Sequence, residues 1–163
     1  MATLSDPLVQ QLLHGRHIAT LATHNPDGSA HMVAVWFYFD GASIQVATAA
    51  STRKARNLRV NRNVSLMVDS RDPAASYGAS IAGTAELLTG ETARQVNDRV
   101  HRKYLSPAAM SDPKVGPIFA GWDDLTIQIT PRSIFAWDMR EADRQVFGGS
   151  FQANPSYLLS IAR

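Results

Sequence analysis

Five of the chain's sixteen Lys and Arg residues fall within twelve positions, and no Asp or Glu interrupts them. The segment reads Ser51-Thr52-Arg53-Lys54-Ala55-Arg56-Asn57-Leu58-Arg59-Val60-Asn61-Arg62 and follows an apolar, strand-like run from Ile44 to Ala49. Ser51 and Thr52 are good N-cap residues, and Ala55 and Leu58 share one helical face. The pattern predicts a short helix with Arg53 and Lys54 in its first turn. Cations there oppose the helix macrodipole at a cost of about 0.3–1 kcal/mol each, unless a bound anion sits between them and the free N–H groups. Phosphate is the anion that such an arrangement suits. The alternative is a solvated basic helix face.

Other chemistry finds less support. His14, His17, His24, His31 and His101 show no H-x-x-x-H or H-E-x-x-H spacing, so no metal site is expected. The chain contains no cysteine and no G-x-S-x-G elbow, which leaves nucleophilic hydrolysis without a candidate. Trp36, Phe37, Tyr38 and Phe39 stand in a row. In a strand, alternate members of such a run face opposite sides, so Phe37 and Phe39 suit the core and Trp36 suits either core or the face of a flat ligand. No residue pattern identifies a catalytic acid or base; Tyr77, His101 and Tyr104 qualify as proton donors only if they face a pocket.

Ser5-Asp6-Pro7 begins a helix with an apolar stripe at Leu8, Val9, Leu12 and Leu13, and Gly15 is expected to end it in the left-handed conformation. His17 to His24 reads as a strand, Asn25-Pro26-Asp27-Gly28 as a turn, and His31 to Phe39 as a second strand. Asp40-Gly41 signals a type I′ hairpin into a third strand, Ser43 to Ala49. These three strands are expected to form a meander. After the basic helix come a strand at Val64 to Val68, a loop around Arg71-Asp72-Pro73, and a long strand from Tyr77 to Leu88.

Thr89 is placed to cap a helix with Ala93, Val96, Val100 and Tyr104 on one side. Pro107, Pro113 and Pro117 punctuate a loop. Two closing strands follow, Leu125 to Thr130 and Ser133 to Trp137, joined by a turn at Pro131-Arg132. The remainder, 139–163, reads as a lid, a tail that packs on a partner subunit, or a partly disordered end of the same single domain.

With 163 residues, 45% of them hydrophobic, one packed domain is expected. The net charge of +2 gives little general pull toward nucleic acid, and no apolar run is long enough to span a bilayer. We expect a soluble, cytoplasmic protein that binds neither nucleic acid nor membrane. The hairpins are too short for crossover connections and no G-x-G-x-x-G or Walker loop occurs, so a doubly wound fold is not expected. Six or seven antiparallel strands with few helices point instead to a mainly β (α+β) fold, a small closed or partly closed barrel with peripheral helices.

The order of these pieces resembles the pyridoxamine 5′-phosphate oxidase-like superfamily of FMN- and F420-binding split β-barrels. The resemblance rests on Ile18-Ala19-Thr20-Leu21-Ala22-Thr23, Gly28, Val35-Trp36-Phe37 and Ser51-Thr52-Arg53-Lys54-Ala55-Arg56-Asn57-Leu58. It continues through Asn63-Val64-Ser65-Leu66, Gly83-Thr84-Ala85-Glu86-Leu87 and Ile129-Thr130-Pro131-Arg132 to Trp137. It implies a split-barrel domain over residues 5–138 and a homodimer with the cofactor at its interface.

By the same resemblance, Arg53 and Lys54 would hold the cofactor phosphate, with Ser51 and Thr52 adding hydroxyl or N–H contacts. Val33, Ala34, Val35 and Trp36 would line the ring, and Thr48 would lie near the phosphate or ribityl chain. Arg56 and Arg59 would face either solvent or, in a deazaflavin complex, a longer anionic tail. FMN is the first cofactor expected and F420 the close alternative. The stretch from Asp138 to Arg144 lacks the paired Arg and His that grip substrate phosphate in true pyridoxamine-phosphate oxidases. The arginine that often begins their second strand is here His31 or absent.

The expected activity is hydride transfer to or from a small organic substrate, in which the cofactor carries the chemistry and the protein positions it. A non-catalytic protein that binds, stores or senses flavin, F420 or haem is the alternative. Nucleic-acid binding through the Arg-rich helix is a third reading.

Overall fold

The structure is a computed structural model, and it describes residues 1–158. The sequence expectations for 159–163 lie outside the described residues. Seven strands form one antiparallel sheet: β1 (Ala19–His24), β2 (Ala30–Val35), β3 (Tyr38–Phe39), β4 (Ile44–Thr48), β5 (Asn63–Asp69), β6 (Tyr77–Thr89) and β7 (Leu125–Asp138). Their spatial order is β2-β1-β5-β6-β7-β4-β3.

The expected meander does not form. β1 pairs with β2 and β3 with β4, but β2 and β3 lie at opposite edges of the sheet. Only Trp36 and Phe37 separate these two edge strands along the chain. A flat seven-stranded sheet would hold its edges about 29 Å apart at ~4.8 Å per strand, whereas three Cα steps reach only about 11 Å. The sheet must therefore curl until its edges approach. Because β2 and β3 do not pair, the curled sheet stays open along that seam, and the expected split barrel is the result.

The alternating apolar positions of the curled strands fill its interior: Leu21, Val46, Leu66, Val68, Ile81, Ile127 and Ile129 are all buried. Phe37 and Phe39 are in the same core, as their positions predicted. Helix α1 (Pro7–His14) adds fully buried Val9, Leu12 and Leu13, packed on β3, β5 and β6. Its end differs from expectation. Gly15 has φ −65°, not left-handed, and the Lys103 ammonium instead donates to the Leu13 carbonyl at 3.0 Å. Glycine is needed at position 15 for space, since a Cβ there would sit 2.9 Å from the Gln11 carbonyl oxygen.

Two turns also differ. The β3–β4 connection is not type I′, because Gly41 alone has positive φ (+101°) while Asp40 does not. Asp40 organises a longer loop with its carboxylate, which accepts from the N–H groups of Ala42 and Ser43 and from the Ser43 hydroxyl and Gln45 amide. The two closing strands are one continuous strand, β7. Pro131 has no N–H to give the ladder, and the register absorbs this with a bulge: Gly83 faces Pro131 while Ala82 faces Ser133, leaving Arg132 as the extra residue. A Cβ on Gly83 would lie 2.6 Å from the Thr130 carbonyl oxygen.

Helix α2 (Arg53–Val60) is the predicted basic helix, and α3 (Gly90–Tyr104) the predicted long one, though the Thr89 side chain makes no cap bond. The proline-punctuated loop contains two short helices, α4 (Pro107–Ser111), capped by the Ser106 hydroxyl, and α5 (Gly116–Trp122). Beyond β7 the chain forms α6 (Met139–Phe147) and α7 (Ser150–Ala153), which pack on the 3₁₀ turn Pro73–Ala75. No helix among the described residues is long and apolar enough to cross a membrane.

Two expected outcomes follow from this packing. Gly83→Ala should cost about 1–3 kcal/mol, because the backbone opposite must shift; urea denaturation should show a lower midpoint at unchanged slope. Burial pushes the Lys103 ammonium down to about 8 from 10.5, so between those values the unfolded chain binds more protons and stability rises with pH. The stability difference, wild type minus Lys103→Met, should therefore move in favour of wild type as pH rises from 8 to 10; a pH-independent difference would sink this assignment.

Candidate functional site

Helix α2 starts where β4 leaves the sheet. The Thr52 hydroxyl accepts from the Ala55 N–H and donates to the Ala49 carbonyl, and it lies 3.1 Å from the Thr48 hydroxyl. The Ala50 N–H donates to Asp124. Buried Asn57 then ties the helix to the β1–β2 end, donating to Thr23 Oγ1 and Asn25 Oδ1, each at 3.1 Å. Ala55 and Leu58 fill the core as predicted. The first turn carries no acidic residue.

Arg53 and Lys54 diverge, because successive helical residues point about 100° apart. Lys54 enters a cavity of about 300 Å³ lined by Ile18, Ala34, Val35, Trp36, Ala47, Val100, His101, Phe119 and Asp123. Arg53 opens onto a larger cleft of about 600 Å³, where it meets Arg56, His24, Asn25, Gly28 and Asn57. Arg53 and Arg56, three apart, share that face.

Of the ten residues singled out from the sequence, the structure thus gathers Ala34, Val35, Trp36 and Lys54 around one cavity and Arg53 with Arg56 around another. The other four line neither. Val33 packs against the core, Thr48 is buried against Thr52, Thr52 is used as the cap, and Ser51 is exposed at the surface. Arg59 and His31 also line neither cavity.

One wall of the Lys54 cavity is flat and aromatic. The Trp36 ring stacks on Tyr104 at 4.9 Å and 6° and on Phe119 at 6.0 Å and 18°. Tyr104 is itself anchored: its hydroxyl donates to the His17 carbonyl at 2.7 Å and accepts from the Phe37 N–H at 3.3 Å. Burial pushes its proton affinity up, so it remains neutral. Tyr77 lies elsewhere, beneath the Arg140 guanidinium at 3.8 Å.

His101 and Asp123 complete the cavity. His101 is 3% exposed, and its Nε2–H donates to Asp123 Oδ2 at 2.9 Å. Asn97, one turn earlier on α3, donates to the carbonyls of Asp123 and Leu125 and accepts from the Thr126 hydroxyl. The α3 helix therefore sets the position of Asp123. Asp123 and Phe119 follow the prolines in a stretch that carried no motif; the capping pair Ser106-Pro107 was the legible sign of helices there. Burial lowers the Lys54 pKa, and the Asp123 charge partly offsets that.

The arrangement suits a planar ligand with an anionic end. A flat indole borders space reached by one half-buried ammonium, at the start of a helix with no acid in its first turn. An incoming phosphate would gain the charge-assisted contact that Lys54 lacks in full. No group of three or more His, Cys, Asp or Glu fit to hold a metal ion occurs among the described residues.

Residues 5–137 match the family model of pyridoxamine 5′-phosphate oxidase. The chain belongs to this family. Similar solved structures share the fold across nearly the whole family region. A conserved hypothetical protein from Mycobacterium tuberculosis is 24% identical, covers 99% of this chain and 94% of that one, and superposes with a TM-score of 0.70. An F420 reductase is 24% identical over 77% of this chain and 94% of its own, with a TM-score of 0.63. The haem storage protein HutZ from Vibrio cholerae is 19% identical over 80% and 92%, with a TM-score of 0.62. No curated protein matches the chain.

This family member carries its Lys54 between two opposing influences, so the Asp123→Asn variant is informative. Removing the carboxylate charge should lower the Lys54 pKa further, read as an earlier titration of its Nζ resonance by NMR. A Lys54 titration unchanged in that variant would place the two charges too far apart to interact.

Proposed function

We propose that the protein is an oxidoreductase that binds a flavin-type cofactor in the Lys54 cavity and transfers hydride to or from a small organic substrate. The observation that carries this reading is a half-buried ammonium facing the same cavity as the aromatic rings of Trp36 and Phe119, with Trp36 backed by Tyr104. When bound, the cofactor would donate or accept the hydride. Lys54 would hold the phosphate, Ala34, Val35 and Trp36 would orient the ring, and the apolar lining would exclude water. Asp123, held by His101, would keep Lys54 protonated for that contact.

F420 fits better than FMN. FMN would leave Arg53 and Arg56 unused, whereas the longer anionic tail of F420 would suit their cleft, which no carboxylate lines. An F420 reductase with the same fold supports this reading. Haem storage, suggested by the likeness to HutZ, is less well supported, because Nε2 of the one histidine lining the Lys54 cavity is already bound to Asp123.

We also propose that two copies pair over this cavity. It is open on one side, Ile18 at its edge is exposed, and neighbouring apolar residues await cover: Met32 on edge strand β2 (62% exposed) and Trp122 on α5 (68%).

Fluorescence titration with F420 and, separately, FMN tests the cofactor reading. Lys54→Ala should weaken binding at least about tenfold, the loss of a charge-assisted contact of roughly 1.5–3 kcal/mol. Arg53→Ala with Arg56→Ala should weaken F420 and leave FMN within twofold. Binding of neither cofactor by the wild type would sink the oxidoreductase reading. Bound cofactor that no reductant or acceptor turns over would leave a storage protein in its place.

A further inference from the structure

A second basic cleft, of about 390 Å³, lies between the end of α1, strand β3 and the last turns of α3, and it shares no residue with the two clefts flanking α2. Arg16, Arg99, Arg102, Lys103 and His14 line it together with Tyr38, and no Asp or Glu does. Arg99, Arg102 and Lys103 sit at i, i+3 and i+4 on α3, where like charges repel.

The charges are not equally committed. Arg102 is paired with Asp98 at 2.6 Å. The side chains of Arg16 and Arg99 make neither an ion pair nor a hydrogen bond among the described residues. Lys103 is anchored at the base, with its ammonium 3.9 Å from the centre of the Phe37 ring and donating to the Leu13 carbonyl. His14 packs edge-on against Phe39 at 5.3 Å, closing the side. Arg16, in the connection after α1, and Arg99, on α3, come from two separate elements and border one concavity together with the half-buried Lys103.

We propose that this cleft binds a small multivalent oxyanion, clamped by the guanidiniums of Arg16 and Arg99 above the Lys103 ammonium. Its volume falls within the roughly 300–1,000 Å³ typical of small-molecule sites, and the planar donors of arginine suit phosphate or carboxylate oxygens in bidentate contact. The multivalency follows from the charge: a single negative charge leaves at least two of these cations facing each other. Burial lowers the Lys103 pKa, which adds to the advantage of a neighbouring anion. This site is independent of the cofactor reading.

Calorimetric titration at about 0.15 M salt, where exposed charges beyond ~8 Å are screened, tests the proposal with two probes, inorganic pyrophosphate and citrate. Wild type should bind at least one of them, and preference between them assigns phosphate or carboxylate chemistry. Arg16→Ala with Arg99→Ala should weaken that binding at least about tenfold, whereas Arg53→Ala with Arg56→Ala should leave it within twofold. Both pairs are exposed side chains, and unchanged thermal melting in the absence of anion checks that the variants fold. No binding of either probe by wild type, or binding lost only with the α2 pair, would overturn the proposal.

Discussion

The architecture depends on a covalent constraint two residues long. Strands β2 and β3 belong to opposite edges of a seven-stranded sheet, yet Trp36 and Phe37 alone connect them. A flat sheet is impossible under that link, so the sheet curls around Phe37 and the buried faces of its strands. Tyr104 stabilises the link by bonding the Phe37 backbone and the His17 carbonyl, and it presents its ring to Trp36. The seam that keeps the barrel open is therefore also where the aromatic wall of the cavity is made. Curvature and the aromatic wall arise from one structural necessity.

Charge is distributed over this frame with little neutralisation where it matters. Helix α2 places cations in its first turn, against its own dipole, and commits its cap, Thr52, and its buried amide, Asn57, to fixing its position. That fixes the direction of Arg53 and Lys54 into two different spaces. In contrast, Arg140 and Arg144 of α6 are satisfied locally: Arg140 pairs with Asp138 and stacks on Tyr77, and Arg144 pairs with Glu141. Both guanidiniums are thereby committed to carboxylates of their own segment.

Much of the fold was legible because local chemistry was unambiguous. Alternation marked β1, β5 and β6, and the apolar stripe with its flanking charges marked α3. Failures had particular causes. Asp40-Gly41 looked like a two-residue turn, but the Asp40 carboxylate stabilises a four-residue loop through bonds that a dipeptide signal does not encode. Pro131-Arg132 looked like a turn because proline cannot donate to a ladder; the long partner strand β6 tolerates it through a bulge at Gly83. Helix α6 was missed although Asp138 and Glu141 have capping-box spacing and Gly148 supplies the left-handed end.

The sequence by itself determined the strands β1, β5 and β6, the helices α1, α2 and α3 with their core faces, the family, and a helix start rich in cations and free of acid, because these follow from local periodicity, caps and charge. Only the tertiary structure decided that β2 and β3 part to opposite edges, that Arg53 and Lys54 serve separate cavities, and that His101 and Asp123 join Lys54. Those relations link residues as far apart as 18 and 123 through the curl of the sheet and the docking of α3. Contacts of that separation are set by closure and packing, for which local periodicity carries no signal.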